Sequence, residues 1–157
     1  MDKLWAPWRV NYLRSKKRKG CIFCNGRKGK EKDYLLFKTA YSKVILNIFP
    51  YNNGHLLVAP LRHVAGLDQL KDNEAIDLFR AVKRAQKLLD KVLKPQGYNL
   101  GVNLSRSAGA GITGHLHIHI VPRWIGDTNF MPVAFNTKVI SQSLAELYKQ
   151  LKDAQPE

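Results

Sequence analysis

The sequence predicts an α+β domain built on an antiparallel sheet. Three observations carry this. Five short apolar runs are each bounded by turn residues, which is the strand signal. Only two segments repeat apolar residues at helical spacing, and they do not alternate with the strands as the crossover helices of a parallel sheet would. The length, 157 residues with 45% hydrophobic and 24% charged content, suits one ordinary globular core. A single domain over 1–157 is expected, with a basic arm at 1–32 and a helical tail at 134–157.

Taken in order, Pro7 suits the first turn of a short helix carrying Trp8, Val10, Tyr12 and Leu13. Residues 34–38 and 43–48 read as two strands about a turn at 39–42. A turn at 50–54 precedes a third strand at 55–59, stopped by Pro60. The strongest helix runs over 72–93. Phe79, Val82, Ala85 or Gln86, Leu89 and Leu93 form its apolar stripe, with Lys83, Arg84, Lys87 and Lys91 mostly outward. Pro95 and Gly97 end it. A fourth strand at 98–104 leads into a small-residue loop at 105–114, and a fifth at 115–121 is closed by Pro122. Leu144, Leu147, Tyr148 and Leu151 mark a C-terminal helix.

Charge narrows the functional class. Lys plus Arg number 26 against 12 acids, a net charge of +14. An acidic protein, a disulfide-stapled mini-protein and a disordered chain all fit poorly. An anionic partner fits: nucleic acid, nucleotide or membrane surface. Residues 1–32 hold eleven Lys or Arg with only Asp2 and Glu31 as acids, so that arm carries +9 of the total. Trp5, Trp8 and Tyr12 interleave with it, as in a nucleic-acid-binding module that stacks bases and tracks phosphates. A solvated basic face with both Trp residues buried explains the same pattern and is favoured. The start MDKLWAPWRV has no apolar signal core, and no window holds eighteen apolar residues. A cytoplasmic protein with no membrane partner is the expectation.

Two motifs carry chemistry. In Gly114-His115-Leu116-His117-Ile118-His119-Ile120-Val121, side chains alternate across a strand, so His115, His117 and His119 share one face. Three readings stay open: a polar face that merely uses histidine, a three-His catalytic metal site, and nucleophilic attack on phosphorus. In the last, a neutral imidazole is the nucleophile and a second binds phosphate oxygens. The preceding Gly109-Ala110-Gly111 could bring backbone N–H groups to a phosphate. The second motif, Cys21-Ile22-Phe23-Cys24, has the spacing of a zinc knuckle. A redox pair or two buried thiols are the alternatives. Zinc needs two further ligands, and spacing alone does not choose between His55 and His63 as partner to His115.

The run 115–121 resembles the signature of the histidine triad nucleotide-binding superfamily. The likeness extends to Asn53-Gly54-His55-Leu56-Leu57-Val58-Ala59-Pro60 with His63, to Val102-Asn103 with the loop after it, and to the Cys21–Cys24 knuckle. Together these cover about 20–125 of the sequence. The ends, Leu4-Trp5-Ala6-Pro7-Trp8-Arg9 and 122–133, are similar to the bacterial diadenosine tetraphosphate phosphorylase-like branch. The resemblance implies a five-stranded antiparallel sheet with a long helix and a C-terminal helix, two copies joining into a ten-stranded sheet as a homodimer. It implies a nucleotidyl transferase or hydrolase acting on a purine nucleotide or dinucleoside polyphosphate. His117 would be the nucleophile, His119 would contact phosphate oxygens, and His55 would support the site. Asn47 stands where many members carry an Asp that binds ribose hydroxyls. Ile48 would line the base pocket, Asn103 and Gly109, Ala110 and Gly111 would hold phosphates, and Trp124 joins the nucleotide site. Structural zinc would sit on Cys21, Cys24, His63 and His115. Hydrolases of the fragile histidine triad type carry Gln four residues before the first triad His. Gly111 stands there, which favours phosphate as acceptor. Nucleoside phosphoramidates and adenylated ends are alternative substrates.

Overall fold

A computed structural model describes residues 21–25, 34–128 and 140–155. The short helix expected after Pro7, most of the basic arm, and positions 129–139 lie outside the described residues. Five strands form one sheet: β1 (Leu35–Lys38), β2 (Ser42–Leu46), β3 (Leu56–Pro60), β4 (Gly97–Val102) and β5 (Ile118–Arg123). Their order is β1-β2-β3-β5-β4, and every neighbouring pair is antiparallel. The helices are a single turn, α1 (Ile22–Asn25), the long α2 (Asp72–Leu93) and α3 (Leu144–Asp153). Among the described residues no helix is long and apolar enough to cross a membrane.

The alternation of β3 and β5 sorts residues onto two faces. Leu56, Val58, Ile118 and Ile120 join α2 and α3 in the main core, whereas Leu57 and Ala59 pack with Phe23 on the opposite face. That opposite face also carries His119, which pairs with Leu57. In α2 the buried stripe is Leu78, Ala81, Val82, Ala85, Leu88 and Leu89. Burying one such leucine stabilises the fold by roughly 1.5–3 kcal/mol. Phe79, expected in this stripe, is 64% exposed. It lies about 100° around the helix from Leu78, and Leu78 is the residue the sheet selects.

Two ends also differ from expectation. The left-handed residue that closes α2 is Lys94 (φ 47°), while Gly97 already opens β4. The fifth strand begins at Ile118, not at His115. Leu116 N–H donates instead to Val64 O (2.7 Å), beyond the end of β3 pairing. Pro122, expected to close this strand, lies inside it. Its carbonyl faces the β3 side past the last pair and accepts Asn52 Nδ2 at 2.9 Å, so no ladder bond loses a donor there. Gly54 sits at φ 77°, and a Cβ there would lie 2.4 Å from Leu93 Cδ1. The turn feeding β3 therefore requires glycine.

Candidate active site

The site is built on the sheet face opposite α2. His55 enters it from the turn before β3 and His119 from within β5. His117 sits just before β5. His63 lies three residues past β3, in a loop fastened by Arg62, whose guanidinium holds Glu74 of α2 through Nε (2.8 Å) and Nη2 (2.6 Å). Glu74 is buried, and this ion pair holds its carboxyl at about 2.

Hydrogen bonds fix each tautomer from the backbone outward. Tyr51 N–H donates to His55 Nδ1 at 3.1 Å, and Asn47 Nδ2 reaches the same atom at 3.2 Å. His55 Nδ1 is thus an acceptor, so its Nε2 carries the proton. That Nε2–H donates to His119 Nδ1 at 2.9 Å. His119 in turn carries its proton on Nε2, and this buried donor has no partner among the described residues. A buried unsatisfied donor is costly unless a ligand takes it. His117 is set by a different bond. Its Nδ1–H donates to His115 O at 2.8 Å, which leaves Nε2 as a lone pair. The His117 and His119 rings are 4.9 Å apart. A ring-nitrogen lone pair and an N–H donor therefore sit on neighbouring rings.

Burial keeps these imidazoles neutral. Desolvation, then the neighbouring His119 and His117, lowers His55 to about 3. Desolvation and His117 lower His119 to about 4. His117 also moves down by desolvation, partly offset by its bond to the His115 carbonyl.

A second cluster stands behind the first. The ligand atoms of Cys21, Cys24, His63 and His115 all lie within 4.8 Å of one another. His63 Nδ1 and His115 Nδ1 are 3.2 Å apart, Cys21 Sγ is 3.2 Å from His115 Nδ1, and Cys24 Sγ is 3.1 Å from His63 Nδ1. A tetrahedral zinc site has edges of roughly 3.3–3.8 Å, computed from its metal–ligand lengths. The four residues fit a metal ion. His115 Nε2–H donates to Pro60 O at 2.9 Å, which points the Nδ1 lone pair into the cluster. His115 is moved down, by desolvation first, so it offers a neutral ligand. Desolvation and the Cys21 sulfur push the Cys24 thiol up.

The structure thus brings the sequence-expected residues into two groups: His55, His117 and His119, joined by Asn47, and Cys21, Cys24, His63 and His115. His63, not His55, faces the cysteines. Asn47 Oδ1 is occupied by Phe49 N–H at 3.0 Å. Ile48 lies in the turn after β2. Asn103 follows the Val102–Ile118 pair and so sits level with His117. In the 105–114 loop, Gly109 N–H donates to Arg106 O (3.0 Å) and Ala110 N–H to Ser105 O (3.3 Å), so these two donors are used within the loop. Gly111 lies next in that loop, and Trp124 N–H donates to Asp127 Oδ2 at 3.2 Å.

Sequence reasoning missed three participants. Tyr51 supplies the backbone donor to His55 and stacks its ring on His119 at 5.7 Å. Lys43 donates to the Phe23 carbonyl, clamping α1 to β2. Phe23, 1% exposed, packs on both His115 and His117. An apolar residue inside Cys-x-x-Cys was the available signal for Phe23. Tyr51 and Lys43 carry no local signal.

Fold and site together define a class: an α+β protein that sets a buried imidazole lone pair just before β5 beside an imidazole donor within β5, backed by a Cys2His2 cluster. The chain belongs to the HIT family, whose domain model matches residues 28–124. The AP-4-A phosphorylase of Mycobacterium tuberculosis is 34% identical over 161 residues, 96% of this chain and 83% of that protein. The asymmetrical bis(5'-nucleosyl)-tetraphosphatase of Schizosaccharomyces pombe is 31% identical over 115 residues, 73% of this chain and 63% of that protein. A hypothetical histidine triad nucleotide-binding protein of Sulfolobus tokodaii superposes with a TM-score of 0.61 at 29% identity, covering 77% of this chain and 79% of that one.

Proposed function

We propose that the protein cleaves dinucleoside polyphosphates of the diadenosine tetraphosphate kind through a nucleotidyl-His117 intermediate, with phosphorolysis favoured. The observation that carries this is the pair of fixed tautomers: the His117 Nε2 lone pair beside the Nε2–H of His119, which has no partner among the described residues. His117 Nε2 attacks the α-phosphorus. The bond from that phosphorus to the bridging oxygen breaks, and ATP leaves. His119 Nε2–H hydrogen-bonds a phosphate oxygen as charge builds on it. The His117 Nδ1–H stays on the His115 carbonyl and stabilises the ring as it becomes cationic. Inorganic phosphate then attacks the same phosphorus, releases ADP and restores the imidazole. Water at this step would release AMP. The names of the two curated relatives support polyphosphate cleavage and differ in this acceptor.

Cys21, Cys24, His63 and His115 hold a structural zinc in this reading. When bound, the metal leaves no open coordination position and acts as a cross-link. The protein is a homodimer, joined along the free edge of β4 and the outer face of α2. Ile76 (54%), Phe79 (64%) and Leu100 (54%) are exposed there.

Incubation with diadenosine tetraphosphate, with and without phosphate, tests the activity. ADP plus ATP formed only with phosphate is the expected result. AMP plus ATP without phosphate makes it a hydrolase. Undiminished turnover in His117→Asn would sink the nucleophile assignment.

A further inference from the structure

The metal-ligand cluster and His117 meet through one side chain. Phe23 lies between the two cysteines in α1 and is 1% exposed. Its ring centroid is 5.0 Å from that of His115 and 5.1 Å from that of His117, with interplanar angles of 46° and 37°. Among the described residues, His117 Nδ1–H donates to the His115 carbonyl. That bond selects which ring nitrogen faces outward, and packing is left to limit the remaining play about the Cβ–Cγ bond. The rings that limit this are Phe23 at 5.1 Å and His119 at 4.9 Å. Phe23 is itself pinned. Its carbonyl accepts Lys43 Nζ, Cys24 N–H closes the turn on Cys21 O at 3.2 Å, and Leu57 and Ala59 pack beside it.

We propose that Phe23 is a positioning residue for catalysis, transmitting the rigidity of the Cys21–Cys24 turn to the His117 ring. This rests on the reading of His117 as nucleophile. The cysteines hold the turn, the turn holds Phe23, and Phe23 holds the attacking nitrogen in line with phosphorus. The hydrogen bond sets which nitrogen attacks; the phenyl ring sets where it points. Phe23 is 1% exposed and offers no surface to substrate, so the effect falls on kcat and not on KM.

The test compares Phe23→Leu and Phe23→Ala with the parent protein, purified with zinc and assayed with diadenosine tetraphosphate and phosphate. Zinc per chain, kcat, KM and the proton–nitrogen spectrum of the histidine rings are measured. His117 resonances are assigned by their loss in His117→Asn. With zinc retained, kcat should fall roughly 10- to 100-fold in Phe23→Ala, the cost of a misplaced reacting group, and less in Phe23→Leu. KM should stay near the parent value. The His117 ring resonances should shift as the aromatic neighbour is lost, with the Nδ1–H signal still present. An unchanged kcat in a zinc-loaded variant overturns the proposal. A kcat loss that only tracks zinc loss overturns it too, since Phe23 would then serve the turn alone. If Phe23→Ala does not fold, Phe23→Leu decides by the same measurements. Full turnover in His117→Asn is a separate failure: it removes the nucleophile itself.

Discussion

Replacing His55 with Phe isolates the chain of tautomers from the shape of the site. His55 is fully buried, and its ring lies 4.6 Å from that of Tyr51. A phenyl ring occupies similar space but neither accepts from Tyr51 N–H (3.1 Å) nor donates to His119 Nδ1 (2.9 Å). Each buried group left unpaired costs about 1–3 kcal/mol of stability. The catalytic consequence is larger. Without a donor at Nδ1, His119 is free to move its proton there, and Nε2 would then present a lone pair to a phosphate oxygen. Removing one oriented donor to a developing oxyanion costs roughly 100- to 1,000-fold in kcat. His55→Phe should therefore fold with a lowered Tm, lose turnover on that scale, and show His119 protonated on Nδ1 in nitrogen spectra. His55→Gln, whose amide can donate, should recover part of the rate. Wild-type turnover in His55→Phe, with His119 still protonated on Nε2, would refute the argument.

Four further outcomes are expected. Stability should fall on acidification, because folded His55 and His119 titrate near 3 and 4 while the unfolded residues titrate near 6.5. The unfolded state then binds more protons in that window, so the contribution is fully present above about 6.5 and is lost as pH falls towards 3–4; thermal melts across pH read this directly. Cys24→Ser should release zinc, measured by metal analysis, and lower Tm by loosening the link between α1 and His115. Gly54→Ala should destabilise by about 1–3 kcal/mol through overpacking against Leu93 Cδ1, with strain at φ 77° adding to it, read by denaturant midpoint. Phe79→Glu should convert the proposed dimer to monomer in sedimentation, because it places charge on the helix face where Ile76 and Phe79 are exposed.

Much of the fold was legible locally. All five strands and both longer helices occur where period-two and period-3.6 patterns placed them, with ends shifted by a few residues. Those shifts have tertiary causes. His115 and His117 fall outside β5 because Leu116 N–H is taken by Val64. Phe79 is outside because a neighbouring stripe, anchored by Leu78 and Ala81, meets the sheet.

The sequence by itself determined that His115, His117 and His119 alternate with apolar residues, that two cysteines sit at metal-ligand spacing, and that a small-residue loop precedes the histidines. These are consequences of local periodicity, which any strand or turn imposes on its neighbours. Only the tertiary structure decided which histidine meets the cysteines, which nitrogen of each ring carries its proton, and that Phe23 lies against His117. Most of those depend on a partner far along the chain: Pro60 O for His115, His55 for His119, a β2 lysine for the turn that holds Phe23. The His117 proton, held by His115 O two residues back, is set locally, but only once that backbone leaves the strand. Hydrogen-bond direction and ring contact are properties of atoms a few ångströms apart in space, and spacing along the chain carries no record of them.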